Sequence, residues 1–224
     1  MTRKYIFVLC PPYQGSTIIV NLLDSSKAVS TMLTTDAVGE SQWLMKKHGD
    51  KMYESNRWDP TYEIDMGIFK KILDTYLDKT KPIFVEKSPP NICRAKKLQD
   101  YFSAFGEVYF IISIRSPYSA KCSAENWVKF ATYQKKNIEI LDNTIITSYE
   151  EICQNLDGLI AKITEKLPEL NDISNKNNSN TMNNERRNKI HSGYLNRVIN
   201  KEEKNTVLKN NLDLLHFFGY KLNE

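Results

Sequence analysis

The chain has 224 residues, 41% of them hydrophobic and 26% charged, with a formal net charge of +4. This is enough apolar chain for one sizeable core and too little for two, so residues 1–224 read as a single domain. The basic surplus is modest and forms no long Lys/Arg block, which excludes a nucleic-acid arm and suits small anionic ligands.

Lys4 to Leu9 is an apolar, β-branched and aromatic run that reads as a strand. It is too short for a signal peptide and ends at Pro11-Pro12 without a cleavage site, and no later segment approaches the length of a membrane span. The expectation is a soluble, cytoplasmic protein. After the prolines come Tyr13-Gln14-Gly15-Ser16-Thr17 and a helix with Ile18, Ile19, Leu22 and Leu23 on its packed side. A strand, tight loop and helix in this order aim backbone N–H groups at an anion, which the helix dipole favours.

Residues 27–62 are irregular, with Trp43, Tyr53, Trp58 and Tyr62 scattered among glycines and a proline, and read as a substrate-side insertion. Met66 to Leu77 is an amphipathic helix. Pro82 to Val85 is a short buried strand delivering Glu86-Lys87-Ser88-Pro89-Pro90 to its C-terminal end, with Asn91 as a cap for a helix over Ile92 to Phe105 that Gly106 ends. Val108 to Ile114 is the strongest strand, apolar on both faces as a central parallel strand should be. It leads into Arg115-Ser116-Pro117, with a helix over Ser119 to Gln134.

Asn143 to Thr147 is a further strand, and a helix runs from Ser148 to about Leu167. Residues 171–190 are Asn-, Ser- and Lys-rich and read as a mobile polar loop. Lys201 to Phe218 is a closing helix stopped by Gly219. The order predicts an α/β domain with a central parallel sheet flanked by helices.

The opening loop has one glycine and no following lysine, unlike the GxxxxGK[ST] of nucleotide triphosphatases. The strands end in Glu86, Arg115 and Ser148, leaving no strand-terminal aspartate for magnesium. The four cysteines, Cys10, Cys93, Cys122 and Cys153, have no metal-binding spacing and read as reduced thiols. No metal is implied.

The loop PPYQGST resembles the 5′-phosphosulfate loop of the PAPS-dependent sulfotransferases, typically PKSGTT or RSGST. FVEKSPPNICRAKKLQDYF followed by VYFIISIRSPYSAKCS resembles that family's EKSP-x-R-x-L-x-x-F and IxIxRxPxxxxxS run. TSYEEI and LLHFFGY resemble its RYEDL and LGY segments. The likeness runs from Tyr5 to Tyr220 and is nearer to the glycan, tyrosylprotein and bacterial enzymes than to the cytosolic aryl sulfotransferases.

It implies a P-loop-like sulfotransferase fold with PAPS (3′-phosphoadenosine 5′-phosphosulfate) as donor and PAP as product. Tyr13, Gln14, Gly15, Ser16 and Thr17 would hold the 5′ end. Arg115 and Ser123, eight residues apart, would hold the 3′-phosphate, joined by Arg186 and Arg187 from the polar loop. Lys87 would stabilise the bridging oxygen or the sulfuryl group and Glu40 would act as base, with His48 the competing candidate; His191 and His216 read as structural or solvated. Where the family carries Lys or Arg two residues before the loop glycine, this chain has Tyr13.

A small-molecule, glycan or peptide acceptor with a hydroxyl or amine to receive the sulfuryl group is implied, and neither a nucleic acid nor a membrane span. A PAP-binding module without catalysis and a P-loop small-molecule kinase are the alternative readings.

Overall fold

The computed structural model describes residues 2–33, 39–50, 57–174 and 200–223. Five parallel strands form one sheet in the order β2-β3-β1-β4-β5: β1 (Arg3–Leu9), β2 (Val29–Ser30), β3 (Ile83–Glu86), β4 (Gly106–Ile114) and β5 (Thr144–Ser148). β1 lies between β3 and β4, in register Phe7 to Glu86 and Phe7 to Phe110. From β1 the chain goes to the edge strand β2, returns to lay β3 between β2 and β1, and then crosses to the other side of β1 for β4 and β5. That reversal opens a crevice beyond the C-terminal ends of the central strands, the place where open α/β sheets bind ligands.

The alternation of side chains along β1 sorts the core into two layers. Tyr5, Phe7 and Leu9 face α3 (Met66–Tyr76) and α4 (Ala95–Phe102), packing against Phe69, Ile72, Leu98 and Phe102. Ile6 and Val8 face α1 (Ser16–Asp24) and α7 (Leu156–Lys166), against Ile19, Leu23, Leu159 and Ile163. A third cluster joins Trp127 and Ala131 of α5 (Ala124–Ile140) to Leu208 of α8 (Lys201–Leu208) and Leu215 of α9 (Leu212–Phe217). The Trp127 indole N–H donates to the Arg115 carbonyl at 2.7 Å, so this cluster supports the end of β4.

Gly106 is more than a helix stop. It opens β4 opposite Arg3, and a Cβ there would stand 2.1 Å from the Arg3 carbonyl oxygen. Gly106→Ala is expected to cost about 1–3 kcal/mol or more by forcing the central strands apart. A lowered urea midpoint with an unchanged slope is the expected reading; an unchanged midpoint would mean that the pair opens there without cost.

Several element bounds differ from the sequence expectation. Residues 27–62 contain the edge strand β2 and the helix α2 (Ser41–Lys47), so this stretch is partly framework. A two-residue strand carries no readable periodicity. Asn91 does not cap a helix: Pro89–Cys93 forms a 3-10 turn, α4 starts only at Ala95, and the Asn91 amide donates to Glu86.

The helix expected from Ser119 begins instead at Ala124, because Ser119 and Ala120 donate their N–H groups back to the Ser116 carbonyl in a turn. The helix after β5 divides into α6 (Tyr149–Gln154) and α7 at Asn155, whose side chain accepts from the Gly158 N–H. The closing helix is broken by a 3-10 turn at Lys209–Asn211. None of the four cysteines, all within the described residues, is joined in a disulfide. Of the polar loop, only residues 171–174 lie within the described residues; Arg186, Arg187 and His191 lie outside them, as does Tyr53.

Candidate active site

Because the strands are parallel, β1, β3, β4 and β5 deliver the opening loop, Lys87, Arg115 and Tyr149 to one edge. The loop after β1 turns through two left-handed residues, Tyr13 (φ 61°) and Gly15 (φ 104°). Gly15 is required twice over. It holds a positive φ, and a Cβ would stand 2.7 Å from the Tyr149 ring. α1 begins directly after it with no acidic residue in its first turn. The Ile18 and Ile19 N–H groups donate to the Gly15 carbonyl at 2.9 and 3.4 Å, which leaves the N–H groups of Gly15, Ser16 and Thr17 before them as a donor cluster of the kind that binds phosphate or sulfate. Tyr13 is 77% exposed. Gln14 is buried and its Oε1 accepts the Arg115 N–H at 3.0 Å, tying the loop to the end of β4.

Lys87, only 3% exposed, extends from the end of β3 toward α1 and α2. Its ammonium donates to Thr17 Oγ1 and to Glu40 Oε1, each at 3.2 Å. The second oxygen of Glu40 accepts from the Gln42 amide. Thr17 and Glu40, far from Lys87 and from each other in sequence, thus meet around its ammonium.

Glu86, next to Lys87 but directed into the protein, sets up that meeting. Its Oε1 accepts the Ser41 N–H at 3.0 Å, the Ser41 hydroxyl at 2.6 Å, the Ser88 N–H at 2.9 Å and the Ser88 hydroxyl, while Oε2 accepts from Asn91. Ser88 Oγ in turn accepts the Gln42 N–H at 3.0 Å. The start of α2 is thereby fastened to the end of β3, which holds Glu40 against Lys87. Burial raises the Glu86 carboxyl above the usual carboxylate range, and the donors around it only partly offset this.

Arg115 is also buried. Its Nε donates to Ser119 Oγ at 2.9 Å and its guanidinium lies 4.0 Å over the Tyr149 ring. Glu150 accepts the Ser116 N–H at 3.0 Å on one oxygen and the Tyr220 hydroxyl at 2.9 Å on the other. The TSYEEI and FFGY segments are therefore in direct contact. The Lys204 ammonium donates to the Pro117 and Ala120 carbonyls at 2.5 and 3.1 Å, pinning the same turn, and burial lowers its pKa. Ser123 is the N-cap of α5, exposed, with its Oγ accepting the Asn126 N–H at 3.3 Å. The hydroxyl in contact with the Arg115 side chain is that of Ser119.

A cavity of about 400 Å³ gathers Tyr13, Gly15, Ser16, Thr17, Glu40 and Lys87 and adds Gln42, Trp43 and Arg57. Gln14, Arg115 and Ser123 do not line it. Ser123 borders a separate hollow of about 320 Å³, together with Lys121, Cys122 and Lys204. His48 and His216 are exposed and line neither space. Among the described residues no group of three His, Cys, Asp or Glu side chains is placed to hold a metal ion.

Sequence reasoning missed Glu86, Ser119, Glu150, Lys204 and Arg57 as parts of the site. Only Glu86 and Glu150 carried a signal, by lying inside the EKSP and YEE segments.

No protein-family model matches the chain, and no curated protein matches it. Solved structures do. The sulfotransferase domain of the olefin synthase from Synechococcus PCC 7002 is 14% identical with a TM-score of 0.59, over 99% of this chain and 96% of that one. The sulfotransferase domain from the curacin biosynthetic pathway is 13% identical with a TM-score of 0.54, over 99% of each chain. A retinol dehydratase in complex with androsterone and the inactive cofactor PAP overlaps more loosely, with a TM-score of 0.42 at 15% identity over 98% of this chain and 82% of that one. The likeness to the first two is one of fold.

Proposed function

We propose that this chain, which has the sulfotransferase fold, transfers a sulfuryl group from PAPS to an acceptor hydroxyl. The observation that carries the reading is the convergence of Thr17, Lys87 and Glu40 within 3.2 Å contacts beside the first turn of α1. A sulfuryl donor needs anion donors at its 5′ end, a cation at the bond that breaks and a base beside the attacking oxygen. The N–H groups of Gly15, Ser16 and Thr17 supply the first, Lys87 the second and Glu40 the third.

The acceptor oxygen attacks sulfur in line as the bond from sulfur to the bridging oxygen breaks. The electron pair of that bond stays on the 5′-phosphate oxygen beside Lys87, and the hydroxyl proton goes to Glu40. The products are a sulfate ester and PAP. Thr17 and Gln42 hold Lys87 and Glu40 in place meanwhile. Arg115, stacked on Tyr149 and fixed by Ser119, offers its guanidinium to the 3′-phosphate, with Ser123 at the neighbouring N-terminus of α5 and Arg186 and Arg187 as further contacts.

The acceptor is a small molecule, glycan or peptide, and no metal takes part. No helix among the described residues is long and apolar enough to cross a membrane.

One observation favours a second reading, a PAP-binding module without transfer: Tyr13 is 77% exposed and brings no cation to the loop. Incubation with sulfur-radiolabelled PAPS and a panel of hydroxyl acceptors separates the two. Label transferred to an acceptor supports the enzyme; PAP binding with no transfer and no donor hydrolysis supports the module. In a thermal-shift assay, PAP at ~100 times its Kd should stabilise the fold by ~2.7 kcal/mol. Stabilisation by ATP with magnesium and not by PAP would instead indicate a kinase.

A further inference from the structure

Resting on the sulfuryl-transfer reading, we propose that the outer half of the cavity is an acceptor subsite for a flat hydroxy compound carrying a carboxylate, and that Arg57 reads the carboxylate. The cavity has two differently built halves. Its floor is the Thr17, Lys87 and Glu40 contact. Tyr13 and Trp43, the exposed rings of its lining, mark its mouth, and Arg57, half-buried, lines it with them.

Lys87, in contact with Glu40 at 3.2 Å, and Arg57 are the two cations among the described lining residues. The planar fork of N–H donors on Arg57 matches a carboxylate in a way that an ammonium does not.

The position of Arg57 is built rather than incidental. Its carbonyl accepts Arg94 Nη1 at 2.8 Å, and the same fully buried guanidinium donates to the carbonyls of Asp59 at 2.7 Å and Pro90 at 3.1 Å. Arg94 thereby clamps the segment after Arg57 to the turn that follows Lys87. Trp58 packs on Phe130 with ring centroids 4.7 Å apart, and the Arg57 guanidinium lies 4.9 Å from the Trp58 ring centroid. An arginine whose backbone is fixed relative to the reacting groups loses less freedom when it engages a ligand.

The two aromatic side chains at the mouth point to the rest of the ligand. Trp43 and Tyr13 are 43% and 77% exposed, and both line the opening. Large rings exposed at the rim of a cavity, beside one directional cation, suit a planar apolar body with an anionic tail. The hydroxyl of such an acceptor would enter toward Glu40 while its carboxylate remained at Arg57.

The test is calorimetric titration of PAP-saturated protein with 4-hydroxyphenylacetate and, separately, with the neutral 4-hydroxyphenylacetamide. The acid should bind about tenfold tighter than the amide. Arg57→Ala should erase that preference without weakening the amide, Arg57→Lys should keep part of it, and PAP affinity should be unchanged in both variants. Equal binding of acid and amide by the wild type, binding of neither, or loss of PAP affinity in Arg57→Ala overturns the assignment, the last by moving Arg57 to the donor side. Failure of PAP itself to bind overturns the donor reading, and the acceptor assignment with it.

Discussion

Lys87→Ala is expected to lower the rate of sulfuryl transfer by about a hundred- to a thousandfold, the usual cost of removing one preorganised electrostatic donor. Most of the loss should fall on kcat, because the loop N–H groups and Arg115 still hold the donor. Glu40→Gln should lower kcat by a similar or larger factor, about a hundred- to ten-thousandfold. The two side chains are in contact, so their effects should be less than additive, and the double variant should be little worse than the poorer single one. Steady-state kinetics with labelled PAPS read all three. Full activity in Lys87→Ala would reduce the ion pair to a brace between β3 and α2.

The second large effect concerns stability. Glu86→Ala would leave the Ser41 and Ser88 N–H groups and the Asn91 amide as buried donors without their acceptor. A loss of about 3 kcal/mol or more is expected, since each buried donor left without an acceptor costs about 1–3 kcal/mol. Glu86→Gln should be far milder. Its remaining carbonyl oxygen can keep the serine donors, and Asn91 Oδ1, which makes no hydrogen bond, can turn to accept from the new amide.

The two variants also differ in pH dependence. Because burial raises the Glu86 pKa, the folded chain holds that proton where the unfolded chain, with a carboxyl near about 4.3, has released it. The stability contributed by the protonated form is complete below the unfolded value and is lost as pH rises through the folded one. Urea midpoints at several pH values should therefore move in favour of Glu86→Gln relative to wild type as pH increases. A pH-independent difference would contradict a raised pKa.

The parallel sheet was legible because its strands are continuous apolar runs, and VYFIISI lies inside the sheet, between β1 and β5, as its pattern requires. The edge strand β2 was not, since two residues carry no period. The start of α5 was misplaced because Pro117 suits a helix opening and a turn equally well, and the Ser116 carbonyl accepts the next two N–H groups first.

At the site, residues inside ordered motifs could be named from the sequence, and the structure brings Thr17, Lys87 and Glu40 into contact. The supports could not be named. Nothing local in the chain says that Lys204 reaches across 84 residues to the Ala120 carbonyl, or that Arg94 fixes the backbone beneath Arg57. Those contacts exist only once the layers have closed. Glu86 was visible in its motif, but whether it faced the ligand or the core depended on where α2 packed.

The most direct test of the donor site is a calorimetric titration of the protein with PAP beside adenosine 5′-monophosphate, which lacks the 3′-phosphate. A guanidinium held against Tyr149 and Ser119 at the end of β4 should make PAP the tighter ligand by about a hundredfold, through charge-assisted hydrogen bonds. Arg115→Ala should bring the two ligands close to equal affinity. Equal binding of both by the wild-type protein, or tighter binding of ATP with magnesium than of PAP, would contradict the account.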